Sequence, residues 1–381
     1  MNAVSRRVNM VSGDLDLSVR TAAGWSLDNL CDFASRQNPK RAFLFVSKVL
    51  GKHLPARPSA MRATHDALAE QLRPFLADAG ATLFLGFAET ATGLGAGVYD
   101  ACQRMARHSG SLFVQTTRYF FERAIALHFQ EEHSHATGHL LYTPEFGHHA
   151  FFESKSLVLI DDELSTGQTN LNFLREFLTV NPNIRKVALV SLINWMPEAR
   201  RQLTRDSFPG IEFHFCTLME GGFEFSHREG FVCPPMPAVD GNRANKDSLV
   251  PASFGRFGYR GDVSFKFDAA ARRLNLQKGR PVHVIGDGEF MHPAFLLASH
   301  LESAGFDAFV QSTTRSPILM GGAIGSSIRF CDHYQDGIEN FLYNVPPKDA
   351  QVVLCHEATG HLELLNSLPA HAVSHKELQC L

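Results

Sequence analysis

A chain of 381 residues is longer than one hydrophobic core serves comfortably, so two domains are expected. Hydrophobic residues make up 44% and charged residues 20%, as in ordinary globular proteins, and a formal net charge of −3 supplies no global field to draw nucleic acid or an anionic membrane. Seven scattered cysteines without a CxxC pair argue against a disulfide framework or a zinc ribbon. With no signal-peptide core and no apolar run of ~18 residues, a reducing cytoplasm is the expected location.

Residues 1–40 are polar and read as an extension covering a site. From 41 to 232 apolar strands alternate with helical patterns. "SAMRATHDALAEQLRPFLA" (59–77) places its apolar residues on one helical stripe. "ATLFLGFAETATGLGAGVYDACQRMA" (81–106) reads as strand, glycine-containing loop and helix, and "SLFVQTTRYFF" (111–121) as a second strand. Further strands are expected at 156–160, 184–195 and 211–225. This alternation predicts an α/β fold, a parallel sheet with helices on both faces. Residues 233–262, rich in Pro, Gly and Asn, read as a junction, and 263–381 as a second C-terminal α/β domain beginning with "PVHVIGDGEFMHPAFLLASHLESAGFDAFVQSTTRSP" (281–317).

The densest chemistry lies in "SLVLIDDELSTGQTNLNFL" (156–174). A buried strand runs into Asp161, Asp162 and Glu163, followed by Ser165, Thr166, Gly167, Gln168 and Thr169 and then a helix. Gly167 permits a tight turn, and the free N–H groups of the turn and helix start suit an anion such as phosphate. Carboxylates accept from vicinal sugar hydroxyls or hold a hydrated Mg2+. A sugar phosphate satisfies both halves at once, whereas a plain βα turn with helix-capping charge accounts for one acid and not three.

Val158-Leu-Ile-Asp-Asp-Glu-Leu-Ser-Thr-Gly-Gln-Thr169 resembles the fingerprint of type I phosphoribosyltransferases. The resemblance implies that Asp161 and Asp162 hold the ribose hydroxyls of phosphoribosyl pyrophosphate, bind Mg2+ through water, and that the Ser165–Thr169 turn holds the 5-phosphate. It also implies a pyrophosphate loop after the first core strand, matched by Ala88, Glu89 and Thr90. That loop often carries a basic residue in the family and here has none, leaving Mg2+, Arg118, Arg123, Lys48 or Lys52 to neutralise charge. A mobile lid is implied at 128–149, where His128, His133, His135 and His139 could assist the leaving pyrophosphate. The same residues suit a metal site or a solvated loop.

Thr314-Arg315-Ser316-Pro317, with "FGRFGYRG" (254–261) and "GDGEFMHPAFLLASHLE" (286–302), resembles the TRSP domain, a C-terminal companion of one phosphoribosyltransferase branch encoded in tellurium-resistance-type stress operons. Read physically, Thr313, Thr314, Arg315 and Ser316 form a second anion-binding candidate, with Asp287, Glu289 and His292 facing it across neighbouring strand ends. A structural turn is the plainer alternative. Two motifs are set aside. Gly93-x-Gly95-x-Gly97 lacks dinucleotide spacing, and His356 and His361 of "HEATGH" are one residue too far apart for a zinc-protease helix. Trp195 and "EGGFEFSH" (220–227) could stack on a base or fill the core. Together these readings imply a Mg2+-dependent enzyme joining ribose 5-phosphate to a base-like small molecule in nucleotide synthesis or salvage, compatible with a homodimer. The rival is a non-catalytic ribose-phosphate-binding regulator of the same fold.

Overall fold

The computed structural model describes residues 4–21, 24–106, 110–130, 138–235, 244–261 and 267–378. The chain opens with β1 (Val4–Asn9), β2 (Gly13–Thr21), a short α1 (Leu27–Leu30), and the hairpin β3 (Cys31–Ser35) and β4 (Phe43–Ser47). Then come α2 (Pro58–Leu76), β5 (Thr82–Gly86), α3 (Thr92–Met105), β6 (Leu112–Gln115) and a second hairpin, β7 (Ile125–Gln130) with β8 (Gly138–Tyr142). After α4 (His148–Phe152) follow β9 (Ser156–Ile160), β10 (Glu163–Leu164), α5 (Gln168–Val180), β11 (Lys186–Asn194), α6 (Glu198–Ser207) and β12 (Glu212–His227).

These strands build one sheet in the order β1-β2-β12-β11-β9-β5-β6, with β10 pairing beside β11. From β12 to β6 the pairing is parallel. The central strands β5 and β9 are buried at every position, as strands covered on both faces must be. Residues 212–225 fall within one long strand. Glu212–Glu220 of β12 pairs parallel with β11, and Met219–His227 pairs antiparallel with β2. The polar N-terminal extension therefore adds two strands to the main sheet.

The C-terminal unit contains α7 (Phe267–Leu274), β13 (Val282–Gly286), α8 (His292–Ser303), β14 (Ala308–Ser312), the hairpin β15 (Ser327–Cys331) and β16 (Glu339–Tyr343), β17 (Gln351–His356), β18 (His371–Ser374) and α9 (His375–Leu378). A parallel sheet runs β14-β13-β17-β18. Between β17 and β18 the chain makes a 3₁₀ turn over Glu363–Asn366.

The two units share a core. Helices α2, α3 and α8 pack together, with α2 and α3 against the large sheet and α8 against the small one. One hydrophobic cluster contains Leu68, Leu72 and Phe84 together with Phe295, Leu297, Val310 and Val353. Ala56, just ahead of α2, exchanges backbone hydrogen bonds of 2.8 and 2.9 Å with Val310 and so extends the edge of the small sheet. The connecting segment lies along β6, where Phe113 pairs with Tyr259 and Gln115 N–H reaches Gly255 O.

Candidate active site

A cavity of about 390 Å3 opens where the strand ends of the two units meet. Its floor is the β9–α5 connection. Residues 161 to 170 all line it, as do Ala88, Glu89, Thr90 and Arg118. The Ala88–Glu89 peptide is cis. Gly167 takes φ 67°, which favours glycine, and a Cβ there would also displace the Met196 methyl. From α6, Arg200 braces the turn by donating to Gln168 Oε1 at 2.6 Å and to Thr166 O at 3.2 Å.

The acids differ in their support. Asp161 accepts from the Asp162 N–H at 3.0 Å. Burial, then the neighbouring Glu163 charge, push the Asp162 carboxyl up to about 6. Glu163 is ion-paired with Arg41 through one oxygen, while its Oε2 is buried without a hydrogen-bond partner. Glu89 is the opposite case. Burial alone would raise it, but the cations Lys52, Arg315 and Arg118 outweigh that and hold it down at about 2. Lys52 Nζ stands 2.7 Å from Glu89 Oε1, and Arg315 Nε 3.4 Å from Oε2.

The β3–β4 loop and the C-terminal unit supply walls that sequence reasoning did not assign to this site. Arg36, Lys40 and Arg41 line the cavity from that loop, where Asn38 Oδ1 accepts the Lys40 N–H at 2.8 Å in a local turn. Three cations within six residues beside Asn38-Pro39 were a usable signal. His53 also lines it, and burial, reinforced by Lys52 and Arg36, depresses its value to about 3, so it is neutral. Phe43, Leu44 and Phe223 form an apolar side. Trp195 is buried and stacks on Phe45 at 4.5 Å, a core position behind that wall. His139 lines the cavity, its Nδ1 3.1 Å from Thr116 Oγ1. His128 is exposed on β7, and His133 and His135 lie outside the described residues. Lys48 and Arg123, two proposed sources of charge, do not line the cavity. Lys48 faces Asp32, and Arg123 faces Asp247 and Glu145.

The residues expected to form a separate second site divide. Thr314, Arg315 and Ser316 line this same cavity. Asp287, Glu289, His292 and Thr313 are buried beneath it and engaged with partners. Asp287 accepts from Thr313 Oγ1 at 3.0 Å and faces His333 Nδ1 at 2.9 Å. Glu289 takes Thr117 Oγ1 at 2.6 Å and the Arg118 N–H at 2.9 Å, and His292 reaches Asp100 at 2.8 Å. They do not face Arg315 across an open crevice because the first unit fills it. In "HEATGH", Glu357 pairs with Arg256, and His356 Nδ1 turns back to Ala358 O.

The acidic pair and the Thr-Gly turn thus sit at the strand ends of a parallel α/β sheet, where such folds bind ligands. Residues 30–222, just over half of the chain, match the family described as phosphoribosyl transferase. Residues 253–371 match the TRSP domain that lies C-terminal to it. The chain belongs to this phosphoribosyl transferase family and carries its TRSP domain. Solved structures similar to it include the adenine phosphoribosyl transferase of Trypanosoma brucei in complex with AMP, pyrophosphate and ribose-5-phosphate, at 14% identity over 57% of this chain and 87% of that one, TM-score 0.36. The Leishmania donovani adenine phosphoribosyltransferase is 17% identical over 50% and 77%, TM-score 0.35. That of Rhodothermus marinus is 16% identical over 50% and 95%, TM-score 0.32. No match was found among curated proteins. No helix among the described residues is long and apolar enough to cross a membrane.

Proposed function

We propose that the protein transfers the ribose 5-phosphate unit of phosphoribosyl pyrophosphate to a planar base-like acceptor, releasing pyrophosphate. The observation that carries this reading is the convergence on one cavity of Asp161 and Asp162, the Ser165–Thr169 turn and the Ala88–Thr90 loop. In it, the carboxylates accept the ribose hydroxyls, the turn's N–H and hydroxyl groups take the 5-phosphate, and the loop lies under the pyrophosphate. The acceptor enters against Phe43 and Phe223, whose rings suit stacking. Displacement at ribose C1 passes through an oxocarbenium-like state, so the residues act by positioning, excluding water and balancing charge. No covalent nucleophile is needed.

The donor set fits Mg2+ arriving with the substrate. No three His, Cys, Asp or Glu among the described residues converge into a metal cage, and Mg2+ keeps several waters and phosphate ligands. The orphaned Glu163 Oε2 and the raised Asp162 carboxyl mark uncompensated negative charge that a cation would offset. Asp161 and Asp162 would hold it through water. When bound, it neutralises charge on the departing pyrophosphate.

The test is calorimetric titration of phosphoribosyl pyrophosphate with Mg2+ into wild type and the D161N/D162N double variant. Micromolar binding by wild type and a loss of about 100-fold or more in a folded double variant are expected. Equal binding by both would remove the acids from the site. Binding without pyrophosphate release across a panel of heterocycles would favour a non-catalytic ribose-phosphate binder.

A further inference from the structure

Among the described residues of the C-terminal unit, Arg315 is the charged one that reaches the cavity. It leaves β14 at Ser312 and arrives three residues later, with Thr314 fixed by backbone bonds of 2.7 and 2.9 Å to Phe341. In open parallel sheets, ligands bind in the crevice beyond the carboxyl ends of the strands. Here the first unit fills that crevice. Lys52 Nζ donates to Gly288 O at 3.0 Å and to Ser312 Oγ at 3.3 Å, and Glu289 is spent on Thr117, Arg118 and Arg256. Tyr119 stacks on Tyr334 at 3.9 Å. What the small sheet presents to a small molecule is therefore the Thr314–Ser316 edge of the shared cavity.

Arg315 stands against the Ala88–Thr90 loop, which has no cation of its own. Its Nε is 3.4 Å from Glu89 Oε2, and its guanidinium lies over the Tyr119 ring at 5.3 Å. Of the other cations, Arg41 is held by Glu163, Arg36 and Lys40 line the cavity from the β3–β4 loop, Arg118 lines it beside Glu89, and Lys52, 2.7 Å from Glu89 Oε1, lies behind the loop and does not line the cavity. A guanidinium offers five donors, enough to keep Glu89 and also take two phosphate oxygens in a fork.

We propose that Arg315 is the pyrophosphate-binding cation of this site, so that the C-terminal unit acts by completing the transferase cavity. This rests on reading the cavity as a phosphoribosyl pyrophosphate site. The experiment titrates Mg2+-phosphoribosyl pyrophosphate, inorganic pyrophosphate with Mg2+, and ribose 5-phosphate into wild type, R315A and R315K. R315A is expected to weaken the two pyrophosphate-bearing ligands by about 10- to 100-fold and to leave ribose 5-phosphate within about twofold. R315K keeps the charge without the fork, so it should fall between them even if R315A folds poorly. Unchanged binding of all three ligands by both variants overturns the proposal. An equal loss for all three, with a lowered unfolding midpoint, overturns it too, because that is a structural effect. If wild type binds neither phosphoribosyl pyrophosphate nor ribose 5-phosphate, the parent reading fails, and this one with it. That outcome is recognised before any variant is compared.

Discussion

At the scale of single residues, the site combines one acid held firmly ionised with one held back from ionising. Glu89 lies between two cations, whereas Asp162 is half-buried beside Glu163. A carboxyl whose folded-state value is about 6, against 3.8 unfolded, binds its proton preferentially in the fold. Its contribution to stability is thus present below about pH 4 and lost as pH rises through 6. D162N removes this cost, so near pH 8 the variant should be more stable than wild type by on the order of 2 kcal/mol, and near pH 4 by much less. Urea unfolding at the two pH values checks it, and parallel pH profiles would clear Asp162. The same ionisation is what a hydrated cation or a ribose diol would exploit, so stability here is traded for binding. Asp161, Asp162 and the Thr-Gly turn are legible in the sequence because the whole cradle is local, twelve consecutive residues on a strand, a turn and a helix start. His53 is not, because only tertiary packing brings it beside those acids, and the cations Arg36, Lys40 and Arg41, though clustered in sequence, carry no mark of which site they face.

At the scale of elements, the strand-helix alternation predicts the parallel sheet correctly because buried parallel strands read as continuous apolar runs, as in β5, β9 and β13. It says less about why α3 opens with three alternating glycines. They serve close packing. Gly93 faces Met291, a Cβ on Gly95 would come within 2.8 Å of Phe113, and one on Gly97 would collide with the His65 ring of α2. His65 is itself buried against Phe295 of α8, so its ring has little room to withdraw. G97A should therefore cost about 1–3 kcal/mol despite alanine's better helix propensity. Chemical denaturation measures this. A stabilised variant would mean that the glycine run is not a packing feature.

At the scale of the molecule, the Pro- and Gly-rich segment taken from composition as a junction sends Lys246, Val250, Phe254, Arg256 and Tyr259 into the interior. Composition registers turns and not depth, so nothing in it marks Arg256 as buried. Its guanidinium lies between Glu289 and Glu357, at 2.9 and 2.7 Å, and over the rings of Tyr119 and Phe121. Glu289 in turn holds Thr117 and Arg118 of the first unit. One buried cation thus ties the connecting segment and both strand-end clusters beneath the cavity. Burial alone would depress its value, but the two glutamates outweigh that and keep it fully charged. R256A would leave two carboxylates in the interior without their cation, a loss of about 3–5 kcal/mol. Because α2, α3 and α8 share one core, that loss should move a single unfolding transition of the whole chain, read alike by the fluorescence of Trp25 and Trp195, both N-terminal to the connecting segment, and by far-ultraviolet circular dichroism. Two separate transitions, with only the one unseen by the tryptophans shifted, would mean that the units fold independently and merely touch at the site.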